Sequence, residues 1–95
     1  MLARTAESVY WLARYIERMD NVARLIEAAQ RMAGLSSQTE EWRSALTAAG
    51  ADVGYSEKYD TVTSANAANY LAVDADNPSS ILSSLEKARQ NARSV

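Results

Sequence analysis

The 95-residue sequence contains no cysteine and no histidine. Without cysteine there is no disulfide framework and no thiolate nucleophile. Without histidine the chain lacks the commonest general base and the commonest transition-metal ligand. Serine–histidine and cysteine–histidine nucleophile pairs are therefore excluded, as are ordinary zinc sites and the Glu-x-x-His di-iron arrangement of helical bundles. No glycine-rich loop follows a strand-like pattern, so no nucleotide-binding signature is present. No apolar run approaches the about 18 residues of a membrane span, and the Met1-Leu2-Ala3-Arg4 start lacks the apolar core of a signal peptide. A formal net charge of −2 gives no overall basic footprint for nucleic acid or anionic lipid. The expectation is a cytoplasmic protein with no nucleic-acid or membrane partner, no metal and no cofactor.

Apolar residues make up 47% of the chain, enough for the core of one small domain or of a piece of a larger one. Phenylalanine is absent, alanine is abundant, and the large apolar residues crowd into the first third and the last fifteen positions. The middle is expected to supply little core.

The longest periodic stretch starts at Thr5, a plausible N-cap with Glu7 in the first turn, and runs to Gly34 as the C′ residue. That is about 28 residues, or roughly 42 Å of helix, a length that belongs in a bundle. At about 100° per residue, Val9, Leu12, Ile16, Met19, Ala23 and Ile26 fall on one side, widened by Trp11, Tyr15, Val22 and Ala29. After a short polar connection, Thr39 can cap a second helix with Glu40 and Glu41 in its first turn, a stripe of Trp42, Ala45, Leu46 and Ala49, and Gly50 at its end. The pattern fades between Ala51 and Tyr59, where Gly54 is a breaker and Tyr55 and Tyr59 are packing residues. A third helix is predicted from Asp60 or Thr61 to Ala72, with Val62, Ala65, Asn69 or Ala68, and Ala72 on its stripe and Tyr70, Leu71 and Val73 near the end.

Asp74-Ala75-Asp76-Asn77 resembles the start of a calcium loop only superficially, since no glycine follows at the sixth position. It reads better as a turn ending in Asn77 as N-cap and Pro78 at the first helical position. The last helix then carries Ile81, Leu82, Leu85, Ala88, Ala92 and Val95 on one stripe. It meets no stop signal at Arg93-Ser94-Val95, which suggests the N-terminal part of a longer helical domain whose apolar faces would pair with another copy of the chain. Trp11, Tyr15 and Trp42 lie at helical spacing beside Leu and Ile, the pattern of core residues rather than of base-stacking ones.

The chemistry-bearing pattern is a polar ladder on the first helix: Arg14, Glu17, Arg18, Asn21 and Arg24. Glu17 stands between two guanidinium groups, three residues after Arg14 and seven before Arg24. Three readings remain open. The ladder is a solvated face of i,i+3 and i,i+4 pairs, a buried network holding helices in register, or a ligand site gripping a phosphate or carboxylate in forked geometry. Arg89 and Arg93 on the last helix join it if the two helices pack together. Glu17 is the only candidate acid or base.

Met1-Leu2-x-Arg4-Thr5-Ala6-Glu7-x-x-Tyr10-Trp11-Leu12-x-Arg14-Tyr15-x-Glu17-Arg18, followed by Asn21-x-x-Arg24, closely resembles the opening of the bacterial alpha-E domain proteins. That family is named for an all-helical domain with a recurrent Glu-Arg pair, here Glu17-Arg18. Ser80-Ile81-x-x-x-Leu85-x-x-Ala88-Arg89-x-Asn91-Ala92-Arg93 is similar to its second recognisable segment. The resemblance implies an all-α bundle of about four helices led by a long first helix, residues 1–95 forming the N-terminal part of one domain. It also implies association with ATP-grasp proteins, which join a carboxylate to an amine through an acyl-phosphate, and so a non-catalytic partner module of a peptide or amide ligation system. The alternatives are an enzyme of that pathway, with Glu17 acting on an anionic substrate held by the arginines, and a purely structural oligomerisation module.

Overall fold

The computed structural model describes residues 2–32 and 38–93. Among these the chain forms α1 (Leu2–Met32), α2 (Gln38–Ala48), α3 (Asp52–Lys58), α4 (Ser64–Ala72) and α5 (Ile81–Arg93), with no strand. The all-helical bundle with a long leading helix is as expected, with five helices among the described residues where about four were expected. The predicted stop at Gly34 and the stripe position Val95 lie outside the described residues. At 31 residues, α1 spans about 46 Å, nearly the whole 51 Å long axis of the molecule.

α1 begins before Thr5, so Thr5 is an ordinary helical residue and not a cap. Its inward face is one edge of the predicted apolar face, with Ser8 added. Ser8, Val22 and Ala29 are buried and Leu12, Tyr15, Met19 and Ile26 half-buried, a line that steps alternately by four and three. Such a line suits a helix lying almost parallel to a neighbour. Val9, Ile16 and Ala23, which share a flank, stay exposed, and so does Trp11.

The neighbour is α5, whose predicted stripe is buried only in part, at Ala88 and, half-buried, at Ile81. Ser84 and Ala88 are buried there, while Leu82, Leu85 and Ala92 are exposed. Small side chains let the two helix axes approach, which turns the leucines outward. α5 runs antiparallel to α1: Ile81 packs against the core that Val22 joins, whereas Lys87, further along, reaches the ring of Tyr15.

The core lies in the part of the chain expected to contribute least. Trp42, Ala45, Leu46, Ala51, Tyr55, Ala67, Tyr70 and Leu71 are all buried, and they enclose Val22 and Ala29 of α1. In a sequence without phenylalanine, Trp42 and three tyrosines take the place of the usual aromatic filling. Tyr55 meets Tyr70 edge-on at 5.5 Å between centroids and Tyr59 at 4.8 Å, separations at which ring quadrupoles attract. The α2 stripe of Trp42, Ala45 and Leu46 is as predicted, with Gly50 after it at φ +70°, the left-handed conformation that favours glycine.

The boundaries after Gly50 differ from the sequence reading. α3 forms across Gly54, because Tyr55 at 2% exposure anchors it to the core. α4 starts at Ser64 and not at Asp60 or Thr61, since the Thr63 hydroxyl caps it by accepting from the Asn66 N–H at 3.1 Å. Tyr70 and Leu71 are buried, as is Ala67, while the stripe positions Ala65 and Asn69 are exposed. α5 is capped by Ser80, whose hydroxyl accepts from the Ser83 N–H at 3.1 Å, three residues beyond the predicted Asn77. Asn77 instead closes the preceding turn: its side chain accepts from the Ser79 N–H and donates to the Tyr70 carbonyl at 2.9 Å.

Candidate functional site

The ladder residues follow from α1 being one uninterrupted helix, so positions three and four apart stack along one side. Arg14 pairs with Glu17 at 3.4 Å and Arg24 with Asp20 at 3.1 Å. Glu17, at 68% exposure, is neither a buried register lock nor a desolvated acid within this chain. Exposed pairs of this kind are each worth a few tenths of a kcal/mol. Arg14, Glu17, Arg18 and Asn21 do converge, lining a shallow depression of about 280 Å³ closed on its other side by Ala49 at the end of α2.

The remaining candidates stand apart from it. Arg89 pairs along its own helix with Glu86 at 3.5 Å. Although α1 and α5 pack together, neither Arg89 nor Arg93 lines the depression, and nor does Arg24.

Arg18 differs from the other ladder arginines. Its guanidinium carbon lies 5.9 Å from the centroid of Tyr15, one turn earlier on α1. Lys87 of α5 approaches the same ring at 5.8 Å. Both distances are within cation–π range. Lys87 is missing from the sequence-derived candidates because a lone lysine on a helix flank carries no signal of its own. Its half-buried position beside α1 appears only once the helices are packed.

A second polar cluster sits where α3 meets the turn between α4 and α5. The Lys58 ammonium donates to Asp74 at 2.6 Å and to Asp76 at 3.0 Å. Asp74 also accepts from the Asp76 N–H at 2.9 Å, so these aspartates organise a turn. Hydrogen bonding to Lys58 holds the Asp74 carboxyl below its usual range, and the two carboxylates raise Lys58 above its own. The bulk of Tyr70 against Gly54 places this cluster tightly on α3. Among the described residues no group of three or more metal-binding side chains occurs, and no helix is long and apolar enough to cross a membrane.

The sequence pattern of the Alpha-E family, described as a predicted alpha-helical domain with a conserved ER motif, matches residues 1–95. The chain belongs to the Alpha-E family. Its only Glu-Arg dipeptide is Glu17-Arg18, so the family's ER motif falls on the middle of α1, at the depression. No curated protein and no solved structure matches the chain. In the ER motif as folded here, the two residues part company: Glu17 turns to Arg14, and Arg18 turns to Tyr15.

Proposed function

We propose that this Alpha-E chain is a non-catalytic helical partner module of an ATP-grasp-linked peptide or amide ligation system, and that it docks through the outer face of the α1–α5 pair. The observation that carries the docking reading is the exposure of Val9 and Ile16, at 52% and 51%, beside Leu82 and Leu85, at 40% and 42%. Val9 and Ile16 are seven residues apart and share a line of α1, and Leu82 and Leu85 share a line of α5. At about 100° per residue, clockwise on α1 and anticlockwise on the antiparallel α5, both lines turn to the same side of the pair. Contiguous exposed apolar surface of more than a few hundred Å² on a folded protein marks a site of association.

The link to ATP-grasp chemistry rests on the resemblance carried by Met1–Arg24 and Ser80–Arg93. In the absence of that partner the same face pairs with a second copy of the chain. The test is capture of the tagged chain from its own cells, followed by mass spectrometry. An ATP-grasp protein recovered with the wild type and lost with Ile16→Glu is the expected result, and its absence from the wild-type capture would refute the proposal.

A further inference from the structure

Two cations, Arg18 and Lys87, approach the Tyr15 ring on the side of the α1–α5 pair away from the docking face, and Arg14 lines the adjoining depression with Arg18. Tyr15 is about 100° round α1 from Ile16, so its ring belongs to this other side. Arg18 reaches Tyr15 because the two residues are three apart on one helix, and Lys87 reaches it because α5 runs back along α1.

Only Arg14 is compensated. Its partner is Glu17, and among the described residues neither Arg18 nor Lys87 has a carboxylate within ion-pair distance. Lys87 has one long contact instead, to the Pro78 carbonyl at 3.5 Å. Counting the four side chains Arg14, Glu17, Arg18 and Lys87, the cluster carries two positive charges in excess, on a chain whose own net charge is −2. The other charged groups of α5 do not offset it, since Glu86 is engaged by Arg89.

We infer that Arg18 and Lys87, flanking Tyr15 at the α1–α5 crossing, form a binding site for a phosphoryl dianion such as a phosphate monoester or a diphosphate. The chemistry fits such a group in three ways. A guanidinium presents paired N–H donors that match two oxygens of one phosphoryl group, and an ammonium adds a compact point charge. The Tyr15 ring holds both cations in place without neutralising them, as a carboxylate would. Two uncompensated charges of one sign at one ring, that of Arg18 also lining the depression, raise the local concentration of the opposite ion. Glu17 has a positioning role: by engaging Arg14 it leaves Arg18 without a competing carboxylate.

The test is a ¹⁵N-NMR titration of the chain with inorganic diphosphate at constant ionic strength, with sodium chloride as the control. The expected result is saturable shifts centred on Tyr15, Arg18 and Lys87. Arg18→Gln and Lys87→Gln should each weaken binding by about tenfold or more, about 1.4 kcal/mol, while Lys87→Arg retains it. Arg89→Gln, which removes an equal charge elsewhere on α5, should bind as the wild type does. Shifts that scatter over the surface without saturating would overturn the assignment, and so would an Arg89→Gln loss equal to that of Arg18→Gln. If Lys87→Gln fails to fold, Arg18→Gln decides alone, and undiminished binding there is a refutation.

Discussion

Lys58 on α3 and Asp74 in the turn after α4 are joined at 2.6 Å across sixteen residues of sequence, and the aspartate side chain is only 6% exposed. This contact ties the shortest helix to the corner from which α5 departs. Because the folded state lowers the Asp74 carboxyl from its ordinary value near 3.8, its contribution is complete above that value and is lost as pH falls through the lower, folded one. Lys58 is raised, so its contribution is present below its ordinary 10.5 and is lost as pH rises through the folded value. Thermal melts of Asp74→Asn should therefore decline less than those of the wild type on going from pH 5 to pH 3, about the range in which carboxylates titrate. At neutral pH Lys58→Met should lower the melting temperature more than Asp76→Asn, because it strands the buried carboxylate while the other change removes an exposed one. Equal acid sensitivity of Asp74→Asn and wild type would show that the pair stores no pH-dependent stability.

Gly54 and Tyr70 form a matched pair. A Cβ at Gly54 would overlap the Tyr70 hydroxyl oxygen, whereas the next Tyr70 atom, Cζ, stands 3.5 Å away at ordinary contact distance. Gly54→Ala should thus cost about 1–3 kcal/mol through overpacking, despite the better helix propensity of alanine. Adding Tyr70→Phe removes the offending oxygen. The double variant should recover most of the loss in a denaturant titration, and a purely additive result would contradict the steric account.

Core and surface residues should separate cleanly in stability. Trp42, at 1% exposure, is expected to cost about 3–5 kcal/mol as Trp42→Ala. Ile16→Glu should shift stability by no more than about 0.5 kcal/mol, because half of Ile16 already faces solvent. The same Ile16→Glu change should abolish concentration-dependent self-association in sedimentation velocity. An unfolded Ile16→Glu chain would place that residue in the core after all.

What the sequence discloses here follows the strength of its local signals. Trp42, Ala45 and Leu46 are legible because a helix of eleven residues buried on one face leaves a strict stripe. The faces of α1 and α5 are legible only in part, because each carries more apolar residues than it buries. Periodicity then marks the centre of the whole apolar arc, while close packing through Ser8, Ser84 and Ala88 selects one edge of it. α3 is hidden by Gly54, whose missing side chain is needed for Tyr70 and not for a break. The start of α5 is displaced because Asn77-Pro78 and Ser80 both offer capping chemistry, and Ser80, fully buried, is the one that bonds the helix. Of the ladder, spacing alone groups Arg14, Glu17, Arg18 and Asn21, but the difference between a paired Arg14 and an unpaired Arg18 depends on Tyr15 and on Lys87, seventy-two residues away from it in the chain.

The docking face is tested most directly by the affinity of the purified chain for the purified ATP-grasp partner, measured by calorimetry with wild type and Ile16→Glu. A buried interface anchor of this size contributes about 2 kcal/mol, so Ile16→Glu should weaken binding by about 30-fold while the melting temperature stays unchanged. Undiminished affinity of Ile16→Glu, with the fold intact, would contradict docking through the α1–α5 face.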